Sequence, residues 1–313
     1  MSVKATRDAY GEWLQENGSN PDIVVVDGDL SASTRTNKFA AKYPDRFFDV
    51  GAAEQNLVAF AAGLARGGKK VFASSFAYFE TARAWDQIRN LVAHDILDVQ
   101  LVASHGGLSC AADGASHQAL EELAITRVIP NLKVIVPCDA EETKNTLDAL
   151  IDVKGPSYVR LRREKEPILE KNYAFEIGRI EILRDGSDVT IAAIGSQVTH
   201  AVDAAEKLER HGIDSEVLNI HTLKPLDRDT LIKSVKKTGR IVTTEQHQIH
   251  GGLGGAVAEV LSENNPAPMK IMGVKDTFSG SAREIRDLLI QHELTADHIE
   301  EAVKILIKNT RKM

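Results

Sequence analysis

The stretch DVGAAEQN, residues 49–56, places a single carboxylate, Glu54, at the junction between a predicted strand and a predicted helix. Residues 46–50 have the pattern of a short strand, and apolar side chains at helical spacing follow until Gly67 and Gly68. Glu54 therefore lies in the first helical turn and faces the buried side, where an acid needs a partner or must keep its proton. Taken alone, the stretch favours an ordinary acid that complements the helix dipole, whereas two later stretches favour a functional acid.

Predicted strands and helices alternate along the rest of the chain, which is the pattern of an α/β fold. The alternation is interrupted by a charged stretch around Pro167 and restarts from Glu176. A chain of 313 residues is also long enough for two domains. We therefore predict two consecutive open-sheet α/β domains, residues 1–165 and 177–313, joined by a linker at 166–176.

The composition excludes several classes of protein. The chain has 38 basic and 45 acidic residues, a net charge of −7 and no basic stripe, so nucleic acid is a poor partner. No apolar run could cross a membrane and no secretory signal is visible, so we expect a cytoplasmic protein. Cys110 and Cys138 lack metal-type spacing, which argues against a zinc site and a disulfide framework. We predict no metal ligands in this chain.

Three aromatic residues, Phe76, Tyr78 and Phe79, follow the predicted strand at 70–74 and lie at the start of a helix predicted to run through Val92. Core packing is the more common reason for such a cluster. At the carboxyl end of a strand, however, it also suggests a wall on which a ligand ring could stack.

The second informative stretch, HGGLSCAADGASHQ at 105–118, has no apolar periodicity and is predicted to be a loop. Its ionisable residues are His105, Asp113 and His117, and loops that carry such groups often have a function. A metal loop is conceivable, but the spacing does not match a usual ligand set.

The stretch GPSYVRLRRE, residues 155–164, is predicted to be a strand whose alternation puts Arg163 on the apolar face of Val159 and Leu161 and Arg162 on the opposite face. Arg163 could be an anion clamp or simply a solvated strand end.

A glycine-rich run, HQIHGGLGG at 247–255, has the composition of a phosphate-binding loop. Close packing of a helix against a sheet explains its glycines equally well.

Five stretches, in this order, together resemble the C-terminal half of transketolase, which consists of a pyrimidine-binding domain followed by a C-terminal domain. The resemblance covers nearly the whole chain and depends on the order and spacing of the stretches, since each alone is a weak signal. They are VDGDLSAST (26–34), GAAEQN (51–56), SSFAYF (74–79), DGASHQALEELA (113–124) and TTEQHQIHGGLG (243–254).

The resemblance implies that thiamine diphosphate is the cofactor and supplies the reaction chemistry. Glu54 would hydrogen-bond the aminopyrimidine ring and favour the tautomer that activates the cofactor, a role that needs a protonated carboxyl. Phe76 and Phe79 would wall the pyrimidine ring. Asp29 would lie near the thiazolium, and Leu30 would also contact the cofactor.

The resemblance also implies a sugar-phosphate substrate. Asp113 would bind a substrate hydroxyl, and His117 would bind oxygens of the donor during carbon–carbon cleavage. Ala112 stands where the long transketolases have an acid, so the preferred sugar is less defined than the reaction. The residues implied around the phosphate are Arg7, Ser33, His105 and Arg163.

The motif that binds diphosphate and metal in thiamine enzymes, Gly-Asp-Gly with a downstream Asn, is incomplete. Gly28 and Asp29 are present, but Leu30 stands in place of the second glycine. In the complete motif that glycine lets the backbone approach the phosphates. We therefore expect one subunit of a split transketolase in the pentose phosphate pathway. Its N-terminal partner subunit would bind Mg²⁺ and the diphosphate, in a heterotetramer.

Other interpretations stay open at this point. The chain could be an E1-type β subunit of a 2-oxo acid dehydrogenase, or an enzyme similar to deoxyxylulose phosphate synthase. It could also be a regulatory or assembly subunit without activity, because a fold does not determine a function.

Overall fold

The computed structural model of the chain describes residues 2–170 and 173–310. Within these ranges it forms two α/β domains, which confirms the predicted fold class. The strands are β1 (Val3–Ala5), β2 (Ile23–Asp27), β3 (Phe47–Asp49), β4 (Lys70–Ser74), β5 (Val99–Ala103), β6 (Lys133–Ile135), β7 (Ser157–Arg160), β8 (Lys165–Pro167), β9 (Glu181–Arg184), β10 (Val189–Ala193), β11 (Ser215–Asn219), β12 (Thr222–Lys224), β13 (Ile241–Gln248) and β14 (Met269–Val274).

The helices connect these strands. They are α1 (Thr6–Asn17), α2 (Ser31–Thr34), α3 (Asn37–Lys42), α4 (Glu54–Arg66), α5 (Ala77–Arg83), α6 (Trp85–Gln87), α7 (Glu122–Arg127), α8 (Ala140–Asp152), α9 (Gln197–Glu209), α10 (Arg228–Thr238), α11 (Leu253–Asn264), α12 (Ile285–Gln291) and α13 (Ala296–Thr310). In the part of the chain that the structure describes, no helix is both long and apolar enough to span a membrane.

The sheet of the first domain has seven strands in the order β12-β6-β7-β5-β4-β2-β3. Strands β2 to β7 run parallel to one another, so their carboxyl ends meet at one edge of the sheet. Strand β12 belongs to the second half of the chain and pairs antiparallel with β6. This added strand, which the sequence pattern does not predict, joins the second domain directly to the first sheet.

The sheet of the second domain has five strands in the order β14-β13-β10-β11-β9, in which β9 alone runs antiparallel to its neighbour. One apolar cluster continues from this domain into the first. It contains Val134 in β6 of the first domain, together with Leu223 in β12 and Leu253 in α11. The shared core and the shared sheet hold the two domains together, because separating them would expose apolar surface to water.

The segment between the domains is attached at several points. Strand β8 pairs antiparallel with β1, so the proposed linker at 166–176 begins inside a strand. Tyr173 donates a hydrogen bond to Glu142 of the first domain, 2.6 Å away, and accepts one from Asn219 of the second, 3.1 Å away. Residues 1, 171, 172 and 311–313 of the proposed ranges lie outside the described residues. The domain boundaries remain a proposal.

The helix predicted to run from Phe76 through Val92 is interrupted. Helix α5 ends at Arg83, α6 is a short turn, and Ile88–Ala93 form a π-helical turn. The residues whose apolar spacing predicts one helix therefore form three shorter helical segments. Arg83 and Phe79 both lie on α5, one helical turn apart.

Candidate active site

The junction that carries Glu54 forms as predicted, because a glycine permits the turn. Gly51 has φ of +76°, which a residue with a side chain rarely adopts, and its N–H donates to the Asp49 carboxylate over 3.0 Å. The same carboxylate oxygen accepts the N–H of Asp29 over 3.0 Å, which ties the loop after β2 to the loop after β3. Helix α4 begins at Glu54, whose side chain is 5% exposed.

Glu54 is paired with an arginine that the sequence analysis did not identify. Arg83 Nη1 lies 3.2 Å from one carboxylate oxygen of Glu54 and 3.4 Å from the other. The Arg83 guanidinium also lies over the ring of Phe79, with Cζ 4.3 Å from the ring centre. The position of Arg83 four residues after Phe79 on one helix was the only signal that could have suggested this.

A row of rings leads from Phe79 into a second group of side chains. Phe79 and Phe76 are stacked with their centres 5.8 Å apart, and the Phe76 ring centre lies 3.8 Å from that of His105. His117 meets the Phe79 ring edge-on at 5.1 Å. Glu54, Arg83, the two phenylalanines and the two histidines therefore form one continuous wall, in which Arg83 joins Glu54 to the rings.

A cleft at the carboxyl edge of the first sheet opens beside this wall. It contains the four residues predicted around a phosphate, together with Asp113 and His117. It also contains Arg35, which no sequence pattern singled out. The lining residues are Arg7, Ala32, Ser33, Arg35, Phe76, His105, Asp113, His117 and Arg163.

The loop after β2 is held in place by a buried acid, Asp27. Its carboxylate accepts hydrogen bonds from the hydroxyls of Thr34 and Thr36, each at 2.7 Å, and from the N–H of Leu30 at 2.7 Å. Asp29 has φ of +63° and an exposed side chain. Asp29 and Leu30 thus lie between the Glu54 junction and the cleft, and their contact with a cofactor remains a proposal.

The cleft concentrates positive charge. Burial, followed by the neighbouring Arg35 guanidinium, lowers the pKa of Arg7. Arg7 Nη1 donates to the Ser33 carbonyl over 3.0 Å, whereas its buried Nε has no hydrogen-bond partner among the described residues. Like charges held close together are stabilised by an anion, and a buried donor without a partner favours a ligand that accepts a hydrogen bond.

Arg163 lies in the cleft, but the predicted strand alternation is not the reason. Strand β7 ends at Arg160, so the alternation does not continue to Arg163. Arg163 Nη1 lies 3.2 Å from Asp113 Oδ2, and both side chains are about half exposed. Arg162, which the alternation predicts on the opposite strand face, is buried in an ion pair with Glu166.

His105 is neutral at ordinary pH. Its pKa is lowered to about 3, because burial, and then the Arg7 and Arg163 guanidiniums, disfavour the charged ring. Its Nδ1 shares a hydrogen bond of 2.7 Å with the Ser104 hydroxyl, and its backbone has φ of +65°. The positive charge of the cleft therefore comes from the arginines.

This shift predicts how stability depends on pH. Below the ordinary histidine pKa of about 6.5, the unfolded chain takes up a proton at His105 that the folded chain takes up only near pH 3. Stability is therefore lost as pH falls, by about 2 kcal/mol from this residue between pH 7 and pH 5. We expect His105→Asn, which tolerates a positive φ, to show a smaller loss over this interval in urea unfolding.

The matched control is His250→Gln at an exposed position, which should lose as much stability as the wild type. Equal pH dependence in His105→Asn and the wild type would contradict the assignment of a depressed pKa to His105.

Residues of both domains contact the loop at 105–118 and the residues that follow it. Arg160 donates to the carbonyls of Ala119 over 2.8 Å and of Gln246 over 2.7 Å. Its Nε lies 2.7 Å from Glu122 in a buried ion pair. The side chain of Gln118 donates to the Gly280 carbonyl over 3.1 Å. The loop that carries Asp113 and His117 is thus positioned by contacts with both domains.

The glycine-rich run at 247–255 contacts an acid of this chain. The Glu245 carboxylate accepts the N–H groups of Leu253, over 2.7 Å, and Gly254, over 2.8 Å. A Cβ on Gly252 would lie 2.0 Å from a Glu245 oxygen, so this glycine permits the close approach of the acid. The observed contacts therefore favour helix capping by Glu245 over phosphate binding.

The described residues contain no group of three or more histidine, cysteine, aspartate or glutamate side chains that could hold a metal ion.

Comparison with known proteins gives a consistent result for both domains. Residues 2–167 match the model of the transketolase pyrimidine-binding domain, and residues 178–299 match that of the transketolase C-terminal domain. The chain is 48% identical over 290 residues to a Methanocaldococcus jannaschii protein named as a transketolase C-terminal section, with 90% of each chain covered. It is 41% identical to the 6-deoxy-6-sulfo-D-fructose transketolase subunit SqwH of Clostridium sp. (strain MSTE9), with 87% of this chain and 85% of that one covered.

A solved structure shows the same arrangement of both domains. It is described as a split gene transketolase in an inactive β4 tetramer, is 45% identical to this chain and superposes with a TM-score of 0.90. The superposition covers 97% of this chain and 98% of that one.

Proposed function

We propose that this chain, which belongs to the transketolase family, is one subunit of a split transketolase. With a partner subunit it would transfer a two-carbon ketol unit between ketose and aldose phosphates, in pentose phosphate interconversion in the cytoplasm. The observation that carries the proposal is the continuous wall from Glu54 through Arg83, Phe79 and Phe76 to the cationic cleft. It brings the residues proposed for the cofactor next to those proposed for the substrate.

The residues present fit thiamine diphosphate, on which transketolases in general depend. Glu54 is buried, and the Arg83 guanidinium that pairs with it lies over the ring of Phe79, which is stacked with Phe76, so an acid and a ring face border the same space around Arg83. When bound, the cofactor would supply the electron sink for carbon–carbon cleavage. Glu54 would hold a proton toward the pyrimidine ring, and the phenylalanines would stack against it. We assign the diphosphate and Mg²⁺ to the partner subunit.

The cleft would bind the sugar phosphate. Arg7 and Arg163 would pair with the phosphate, since guanidinium groups match its geometry and charge. Ser33 and the neutral His105 would add hydrogen bonds without charge. Asp113 and His117, at the end of the ring wall, would contact the hydroxyl and carbonyl oxygens of the donor.

The requirement for a partner is supported by relatives of similar length. The SqwH relative is named as a subunit, and the split gene transketolase structure is described as an inactive tetramer of β chains. We infer that this chain likewise needs an N-terminal subunit with the diphosphate-binding domain, and we propose a heterotetramer. The direct test is ketol transfer between sugar phosphates by a mixture of both subunits. No transfer by the mixture would overturn the proposal.

The cationic cleft also argues against two of the alternative functions. A 2-oxo acid dehydrogenase substrate need not carry a phosphate, whereas Arg7, Arg35 and Arg163 converge here. A regulatory subunit would not need a buried acid and a cationic cleft joined by one wall.

Replacing Arg163 should impair the kinetics of phosphorylated substrates and spare those of substrates without a phosphate. If Arg163 binds the phosphate in both ground and transition states, its loss removes uniform binding. In the assembled enzyme, Arg163→Ala should therefore raise KM for sugar phosphates by roughly 10- to 100-fold with a smaller change in kcat. Hydroxypyruvate, a ketol donor without phosphate, should keep its kinetic constants.

Arg162 cannot serve as the control for this variant, because it is buried and its removal would leave Glu166 without its partner. Arg228 is a better match, since it is half exposed and pairs with one carboxylate, Glu263, over 2.7 Å. Arg228→Ala should behave as the wild type. An equal loss of activity with hydroxypyruvate and with sugar phosphates in Arg163→Ala would exclude the phosphate role.

A further inference from the structure

Arg83 makes both of the contacts that the proposed function gives to the pyrimidine ring. Its guanidinium faces the two carboxylate oxygens of Glu54 at 3.2 and 3.4 Å and lies over the Phe79 ring. A pyrimidine ring that hydrogen-bonds these oxygens and stacks on this face of Phe79 would use the same space. The guanidinium and an aminopyrimidine resemble each other in both respects, since each is flat and carries N–H donors.

We propose that Arg83 is a gate on the pyrimidine site. It closes the site in the chain without cofactor and withdraws when the cofactor binds. The inference rests on the proposed function, because it assumes that Glu54 and Phe79 bind the pyrimidine ring.

The surroundings of Arg83 allow it to move. Its side chain is 53% exposed, so it can turn into solvent and be hydrated there. Its backbone is anchored separately, because the Gln55 side chain donates to the Arg83 carbonyl over 3.2 Å. Withdrawal therefore needs only a change of side-chain rotamer and leaves helix α5 in place.

The gate also relates to the charges around Glu54. In the closed site a cation, the Arg83 guanidinium, lies beside the Glu54 carboxylate. Withdrawal of Arg83 removes this cation when the neutral ring enters. Cofactor binding and the change in the environment of Glu54 would then be one event.

A gate lowers apparent affinity by the fraction of chains in which it is open. Arg83 is half exposed, so solvent screens its pair with Glu54 and the closed state is favoured only modestly. We therefore expect Arg83→Ala in the assembled enzyme to bind thiamine diphosphate about 3- to 10-fold more tightly than the wild type in titration calorimetry. In stopped-flow binding, association should become faster while dissociation stays unchanged, because the gate acts before the cofactor enters.

The matched control is Arg89→Ala. Arg89 is exposed in the π-helical turn that follows α6, and its guanidinium contacts the Asn90 side chain. Its loss should leave both the affinity and the binding rates unchanged.

The possible outcomes distinguish the gate from the proposed function. Unchanged or weaker binding by Arg83→Ala, with a wild type that binds, would overturn the gate and leave the function standing. Faster dissociation would identify Arg83 as a direct cofactor contact and would also overturn the gate. If the Arg83→Ala enzyme binds the cofactor and the wild-type enzyme does not, the result would support a gate that is almost always closed. If neither protein binds the cofactor, the proposed function fails, and the gate fails with it.

Discussion

Glu54→Gln is expected to slow exchange of the thiazolium proton of bound thiamine diphosphate by on the order of 10²-fold or more, the usual scale of acid–base assistance. Glutamine keeps the shape of the side chain but cannot hold and release the proton proposed for Glu54. Exchange can be followed by NMR in heavy water with the partner subunit present. Ketol transfer should fall by a similar factor, because activation of the cofactor precedes every turnover.

A matched control separates this role from a contribution to the helix dipole. Glu141 is an exposed acid in the first turn of α8, where it can complement the dipole in the same way. Glu141→Gln should leave exchange and transfer unchanged. Unchanged exchange in Glu54→Gln would instead return Glu54 to the ordinary role of an acid at a helix terminus. Unfolding in urea would show whether either variant has lost stability.

The largest expected effect comes from the partner subunit. The chain alone should bind thiamine diphosphate poorly and show no measurable ketol transfer, because the Gly-Asp-Gly motif is incomplete at Leu30. Mixing it with a subunit that carries this motif and the downstream Asn should restore both. Titration calorimetry measures the binding, and a sugar-phosphate transfer assay measures the activity.

Two outcomes would decide this prediction. Full activity from the chain alone would exclude the split-subunit interpretation. A mixture that contains the Glu54→Gln chain should assemble and bind the cofactor yet transfer slowly, which would show that restored activity depends on this chain as well as on its partner.

Much of the secondary structure could be predicted from local patterns. The strand at 23–26 and the helix after Glu54 follow from apolar runs and from helical spacing, which act over a few residues. Strand β12 was not predicted, because three residues that pair with a distant strand leave no periodic signal. The interruption of the helix after Phe76 was missed because the apolar spacing continues through it.

The candidate site divides in the same way. The sequence by itself determined which residue types were available, including a lone acid at a strand-to-helix junction and a loop with two histidines, and their order matches the transketolase family. The resemblance already grouped Arg7 and Arg163 around a phosphate, whereas only the tertiary structure added Arg35 to their cleft and placed Arg83 between Glu54 and Phe79. The physical reason is that parallel strands far apart in the chain end at one sheet edge, so charges that are distant in sequence meet in space.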